Sequence, residues 1–590
     1  MQSPPAPSSP SGAPPAQAPA ADEPEMNTHD IPVPLESRVN LVPVRVIVRD
    51  VNGRAVATLR REDFQLFEDG KPQVISNFTL VKLPSAGQPV SGTPSGESGT
   101  TEGGHPAAFL PPWRFVALLF DDPGLDQRDL MQARNAANRY LDSSVAPTDR
   151  VAVFTVSGLT QTDFTDDRAK LREMLRQLRV NTLSGTTAAG SEDCPAMEFY
   201  EADAIANQHD RQALAAATDD ALSCVASSPA SQTPSSPQQA AQQASQQASQ
   251  IAQARALAEA TAYHKVEVGY IQTVAIFRRL TEVIRRMAAL PGQRNIVLIS
   301  PGFVYPNRQT DYSQVVDSAI RQNVFISTLD ARGLYTPDLN GDISQTDLKE
   351  DPVTAGYRAQ WRTAGQALQT NTLLYLAGDT GGFAFYGNND LNEGLREVAG
   401  APEAYYYLAF VPHNLNFDGH FHSIKVTLVP KEKFSVQARR GYYAPKHGET
   451  PAEAARREID DALFSQEEQH GFPVALQTQF YKVDATDAKL AVLAHVDLAH
   501  VHFDKANGRN QNDLTVVTAV FDRNGNYVAG NQKVVEMKLR DETLQRLSHT
   551  GVTVRTSFDV KPGDYVVRLV VRDSKASALS AENGSVEIPY

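Results

Sequence analysis

Residues 114–122 read RFVALLFDD, an unbroken apolar run from Phe115 to Phe120 that stops at two adjacent carboxylates. A run with no alternation marks a strand covered on both faces, and such strands belong mostly to parallel sheets flanked by helices. The residues downstream agree. Asp126 stands where a helix N-cap would, Asp129 falls in the first turn, and Leu130, Ala133, Ala137 and Leu141 recur at helical spacing. VAVFTV (151–156) is then a second apolar run. Strand, helix and strand within residues 114–156 make a βαβ unit. Asp121 and Asp122 therefore sit at the carboxyl end of a central strand, the edge where open α/β sheets bind ligands.

RNIVLIS (294–300) and NVFISTLD (323–330) add two buried strands, each preceded by a helix; the first of those helices carries Ile276, Leu280, Val283, Met287 and Leu290 as one apolar stripe. In order along the chain come a strand ending in Asp, DRVAVFTVSG, PGQRNIVLISPGF, LDARGLY, DTGGFAFY and NNDLNEGLREVAG. Together these resemble a von Willebrand factor type A domain. The flanking segments VNLVPVRVIVRDVNG, EDFQLFEDGKPQ, DGHFHSIKVTL and QARRGYYAP are similar to the von Willebrand factor A-related proteins of Acidobacteria. The resemblance spans roughly residues 35–445. It implies a doubly wound, mostly parallel, Rossmann-like sheet that serves protein–protein binding or adhesion in an exported protein.

Around this centre the sequence divides into further pieces. Residues 1–34 are rich in Pro and Ala and are expected to be a disordered linker, of the kind left after a signal peptide is removed. Residues 35–83 hold four short strand patterns, including one after the Asp50–Gly53 turn, too few to bury a core alone. Residues 84–111 are a Gly/Ser/Pro linker. The α/β domain runs over 112–402 and is interrupted at about 184–262. There a helical stretch (197–224) leads into a low-complexity segment (226–250), expected to be a loop that enters a helix near Ala252. Strands at 404–412, 421–429 and 434–443 (within 403–445) are expected to complete the first piece, so that the α/β domain is inserted in a split β-sandwich. Residues 446–472 read as a connector with helical tendency. Seven strand patterns in 473–590 indicate an Ig-like or fibronectin-like sandwich.

With 590 residues, 41% of them hydrophobic, the chain can bury real cores, and its net charge of −14 argues against nucleic acid as a partner. No apolar run is long enough to span a membrane. Cys194 and Cys224 are the only cysteines. They are either a disulfide in an exported protein or two inert thiols in a cytosolic one. The resemblance to an exported family favours the bridge and a secreted or periplasmic location. A bridge would close the helical excursion and stabilise it by roughly 3–4 kcal/mol.

The resemblance also implies a cation site of the Asp-x-Ser-x-Ser kind, with a Thr from a second loop and an Asp from a third. Asp121 matches the first position, but Pro123 and Leu125 replace the serines and Pro301 stands where the distant Asp would be. Thr186 or Thr187 could supply the threonine, and Asp122 and Asp126 could substitute for lost ligands of a weakly held magnesium or calcium ion. The plainer reading is a degenerate site with no cofactor, in which Asp121 and Asp122 satisfy backbone amides at the strand edge. Asp338, Asn340 and Asp342 alternate as in a calcium loop, yet Ile343 and Lys349 occupy the positions that need Gly and an acidic ligand. His500 and His502, read as neighbours on one face of a strand, and His413, His420 and His422 lack the convergent set that zinc requires. No Gly-x-Ser-x-Gly, phosphate loop, His-Glu-x-x-His or dinucleotide fingerprint is present. The sequence thus favours a non-enzymatic protein-binding molecule over its alternative, a metal-dependent hydrolase using Asp121 and Asp122.

Overall fold

The computed structural model describes residues 25–31, 42–51, 54–82, 112–181, 195, 197–225, 236–304, 309–334, 352–400, 404–412, 419–429, 433–444, 451–465, 468–484, 486–576 and 578–589. Its centre is an α/β unit. In chain order this comprises β1 (Arg114–Phe120), α1 (Gln127–Ser143), β2 (Asp149–Thr155), α2 (Arg168–Gln177), α3 (Phe199–Ala206), α4 (Arg211–Val225) and α5 (Pro237–Ala288). There follow β3 (Gln293–Ser300), α6 (Gln309–Arg321), β4 (Val324–Asp330), α7 (Pro352–Thr380), β5 (Ala384–Phe385) and α8 (Leu391–Ala399). The five strands pair in parallel in the order β5-β4-β3-β1-β2.

Alternate residues of β1 feed two cores. Phe115, Ala117 and Leu119 pack with Leu280, Val283 and Val316 on one face, and Val116, Leu118 and Phe120 with Leu130, Leu141 and Leu395 on the other. Apolar burial on both faces accounts for the unbroken run that announces this strand. From β1 the chain steps to β2 on one side and later to β3 on the other, so the order reverses at the β1/β3 boundary.

The helical insertion departs from expectation at its entry. Helix α5 begins at Pro237, not near Ala252, and runs 52 residues without a break. Ser236 caps it, accepting from the Gln239 amide, and proline fills the first turn, where its missing N–H costs nothing. The Gln and Ala that read as low complexity are strong helix formers, which is why propensity prevails over polarity here. Further on, Ala254, Ala258 and Ala262 are fully buried against Ala202, Ala213 and Ala217 of α3 and α4, with Trp361 of α7 closing the cluster. Gly269 permits the closest approach: a Cβ there would lie 2.1 Å from the Phe199 ring.

Strands 42–49 and 404–410 pair, flanked by 435–438 and 75–82, while 64–68 pairs with 421–428, flanked by 71–73 and 441–443. The two antiparallel sheets enclose Val44, Val46 and Tyr406 from one side and Leu66 and Ile424 from the other. The single strand expected over 434–443 divides, Ser435–Ala438 joining one sheet and Gly441–Tyr443 the other. The strand expected after the Asp50 turn is cut to one antiparallel bridge, Ala55 with Arg49, and a bond from Val56 N to Val48 O at 2.8 Å. Beyond it the backbone is held by the Tyr406 hydroxyl, which donates to Val56 O and accepts from Leu59 N, each at 2.9 Å. These sheets meet the α/β unit through Arg45, whose guanidinium lies between the Phe325 and Tyr405 rings, 4.3 and 4.2 Å from their centroids.

The last part of the chain forms a three-stranded sheet (474–482, 488–496, 552–560) and a larger antiparallel sheet built on 509–522, 527–539, 563–573 and 578–588. Residues 26–31, expected to be linker, form a strand on the edge of the larger sheet, where six residues pair with 532–537. An open strand edge offers a ladder of unpaired amides and carbonyls, enough to order even a polar segment. His500 lies in a 3-10 turn (Leu498–His500) and not on a strand.

Helix α9 (Pro451–Phe464) joins this part to the α/β unit. Its final carbonyls are taken by buried arginines: Arg294 Nη2 donates to Phe464 O at 2.7 Å, and Arg568 Nε and Nη2 donate to Ala462 O at 2.9 and 2.8 Å. Cations at a helix carboxyl end satisfy orphan carbonyls and its dipole together. Beside them Arg150 donates to Arg523 O at 3.1 and 2.7 Å. Gly525, at φ +83°, meets Phe115 so closely that a Cβ would lie 2.3 Å from the ring. All these contacts fall at the amino edge of the parallel sheet, opposite Asp121 and Asp122.

Candidate functional site

At the carboxyl edge the parallel register sets the neighbours. Phe120 is in register with Ile299 of β3 and Thr155 of β2, and Ser300 with Asp330 of β4. One step beyond the ladder, Asp121 faces Ser300; a further step brings Asp122 to Ser157. The Ser300 hydroxyl donates to Asp121 Oδ2 at 2.7 Å, and the Gly124 amide approaches Oδ1 at 3.2 Å. The main-chain oxygen of Asp121 accepts from Gly124 and Leu125, so the chain turns tightly round the carboxylate. A Cβ on Gly124 would lie 2.5 Å from Asp121 Oδ2. Asp122 is held as firmly: Ser157 donates its amide to Oδ1 at 2.9 Å and its hydroxyl to Oδ2 at 2.5 Å.

Both carboxylates are only 2% exposed. Burial pushes Asp121 up to about 6, against the pull of Ser300 and Gly124 and with a further push from the neighbouring charge of Asp122. Burial raises Asp122 as well, opposed by its bonds from Ser157. Asp126 is the N-cap of α1, accepting from the Asp129 amide at 2.6 Å. Asp129 is pushed up to about 6 by burial and then by Asp126 and Asp330. Asp330, at the end of β4, is paired with Arg332 through Nε at 2.9 Å and Nη2 at 2.7 Å. Arg332 continues to Gln369 Oε1 and Thr370 Oγ1 of α7, tying the β4 end to the helix above it.

The donor set can be compared with what a hard cation needs. Asp121, Asp122 and Asp126 stand together near one edge, but each is engaged by hydroxyl or amide donors of the chain. Leu125 is buried apolar surface and Pro123 offers no side-chain oxygen. Ser300 precedes Pro301 and turns its hydroxyl toward Asp121 as a donor. Octahedral oxygen coordination is not what these described residues build, and among them no group of three or more His, Cys, Asp or Glu side chains is arranged to hold a metal ion. Thr186, Thr187, Cys194, Asp338, Asn340, Asp342 and His413 lie outside the described residues, as does the side chain of Cys224 at the end of α4. His422 belongs to a different part of the molecule: its Nδ1 lies 2.9 Å from Asp69 Oδ2, and its ring stacks on Tyr442.

Ser157, Ser300 and the Asp330–Arg332 pair are the site residues that motif reasoning passes over. A signal for the serines does exist, since in a parallel sheet TVSG and LISPG place them level with the Asp121-Asp122 pair.

No helix among the described residues is long and apolar enough to cross a membrane. No protein-family model matches the chain, and no curated protein does. Among solved structures, an aerotolerance-related membrane protein from Bacteroides fragilis NCTC 9343, carrying multiple mutations to serines, aligns at 13% identity. The alignment covers 48% of this chain and 96% of that one, with a TM-score of 0.21. The conserved hypothetical protein BatB from Bacteroides thetaiotaomicron aligns at 14% identity over 48% of this chain and 95% of its own, with a TM-score of 0.20. A Bacteroides uniformis beta-glucuronidase aligns at 12% identity over 33% and 20%, with a TM-score of 0.13. At such scores these likenesses carry no argument about fold or function.

Proposed function

We propose that this chain is an exported, non-enzymatic binding protein. Its α/β unit is of the von Willebrand factor A type and presents a protein-binding surface in the loops at the carboxyl edge of the parallel sheet. The antiparallel sheets, the last of them Ig-like, act as its support. The observation that carries the reading is the state of Asp121 and Asp122: buried, bonded to Ser300, Gly124 and Ser157, and so withdrawn from chemistry. A general base must reach the proton it removes, and a metal-activated water needs an open coordination position. Neither demand fits two carboxylates sealed by their own strand-edge donors. Binding in this reading needs no cation, and the partner meets loop backbone and side chains around the sealed pair.

The raised Asp121 and Asp122 favour the alternative, a metal-dependent hydrolase, because displaced carboxyl values mark catalytic groups. Incubation with p-nitrophenyl phosphate, p-nitrophenyl acetate and p-nitrophenyl glycosides, with magnesium or manganese, separates the two readings. The binding reading expects no turnover above the protein-free blank. Metal-dependent turnover abolished by Asp121→Asn would replace it with the hydrolase.

A further inference from the structure

The strand Met26–Ile31 reaches the last sheet from the far end of the chain, and it is held lightly. Its ladder is complete over six residues, from Met26 opposite Met537 to Ile31 opposite Gln532. Few of its side chains, however, contribute burial. Met26 touches the cluster formed by Val535, Met537 and Leu539, whereas Asn27, Thr28, His29 and Asp30 are exposed. The remaining attraction is electrostatic and partly open to solvent: Glu25 with Arg540 at 3.1 Å and Arg509 at 3.9 Å, Asp30 with Lys533 at 4.0 Å, and His29, when protonated, with Glu536 at 3.8 Å. Such pairs contribute little where they are open to solvent and weaken with salt. The amide of Lys538 also donates to Glu25 O at 2.9 Å, extending the ladder by one bond.

We propose that the edge 532–537 is a strand-acceptor surface, and that a second copy of this chain can fill it with its own residues 25–31, giving a reciprocal strand-exchanged dimer. Main-chain ladder bonds supply the affinity in strand addition and side chains supply the register. The segment with the right register is this chain's own, whose Glu25, His29 and Asp30 match Arg540, Glu536 and Lys533. Ten residues, 32–41, separate the strand from Val42; fully extended they reach about 35 Å. That length lets the strand leave its own edge and cross to a neighbour's without disturbing strand 42–49. Exchange reproduces every ladder bond and ion pair, so closed monomer and dimer differ mainly in the effective concentration at which the strand is presented to its own edge. Exchange therefore grows with protein concentration.

Asn27 and Glu536 face each other across the ladder, which supplies the test in the full chain. The double variant N27C/E536C can bridge within one molecule. The single variants N27C and E536C cannot bridge these positions within a molecule. A disulfide joining positions 27 and 536 in their mixture, above the collisional background set by N27C mixed with D559C (an exposed position away from this edge), therefore requires exchange, and a yield no higher than that background overturns it. Oxidation of that mixture at rising concentration, followed by peptide mass spectrometry, is expected to give a dimer joined through positions 27 and 536, with a yield that rises with concentration. Absence of that peptide from the mixture while the double variant closes within one chain overturns the exchange. Failure of the double variant to close overturns the strand pairing and the proposal with it.

Discussion

Asp121 carries a pH signature that an ordinary surface aspartate lacks. Its folded value is about 6 against an unfolded 3.8, with burial as the largest cause. Between those two values the folded chain keeps a proton that the unfolded chain has lost, so this carboxyl's contribution to stability falls as pH rises from about 4 to about 6 and is level above that. The full span corresponds to roughly 3 kcal/mol at most. Asparagine in its place does not titrate and keeps an oxygen for the Ser300 hydroxyl. Asp121→Asn is therefore expected to lose its stability disadvantage as pH rises, melting closer to the parent, or above it, at pH 7 than at pH 4.5. Scanning calorimetry of both proteins at the two pH values checks this; a constant difference means the carboxyl is ionised throughout. At this scale the sequence was partly legible. The two carboxylates stood out because they end an apolar run. Their partners did not, since Ser157 and Ser300 are joined to them by strand register and by no linear motif.

Among the elements, the buried strands were easy to read because burial on both faces leaves an apolar run, and the two-sided core around β1 follows directly. Helix α5 was only partly so. Its stripe from Ile276 to Met287 was legible, but residues 237–253 have no apolar stripe and the packed stretch around Ala254, Ala258 and Ala262 uses alanine, which marks close helix approach without marking hydrophobic periodicity. Enlarging one of these contacts is costly: Ala258→Leu forces a larger side chain into a fully buried gap between α5 and α4 and is expected to destabilise the insertion by about 1–3 kcal/mol. Hydrogen exchange should quicken in α3, α4 and the middle of α5 while β1 and β3 remain protected; unchanged exchange in the helices would contradict the packing account. The same excursion carries the expected Cys194–Cys224 bridge. Intact mass and alkylation without reductant are expected to show no free thiol, and two alkylated cysteines would count against both the bridge and export.

Over the whole molecule, the amino edge of the parallel sheet carries the contacts to the last sheets, and the carboxyl edge is the surface that the proposed function assigns to recognition. Arg150, Arg294 and Gly525 join the α/β unit to the last sheets, and their long-range carbonyl partners, Arg523 and Phe464, could not be named from sequence because nothing local ties them together. Arg294→Ala strips donors from Leu290, Gln322 and Phe464 carbonyls at once. It is expected to cost about 3 kcal/mol or more, as for other buried polar networks left unsatisfied, and to expose helix α9 to limited proteolysis. Protection of that region in the variant would show that the arginine does not anchor the junction. The proposed function rests at the opposite edge on one claim: Asp121 and Asp122 are engaged by hydroxyl and amide donors of the chain, so the recognition proposed there needs no metal. Titration calorimetry of the full chain with magnesium, calcium and manganese tests this most directly. The account predicts no saturable heat at micromolar affinity for any of the three, and identical traces for the parent and Asp121→Ala. Saturable micromolar binding that disappears in Asp121→Ala would contradict it.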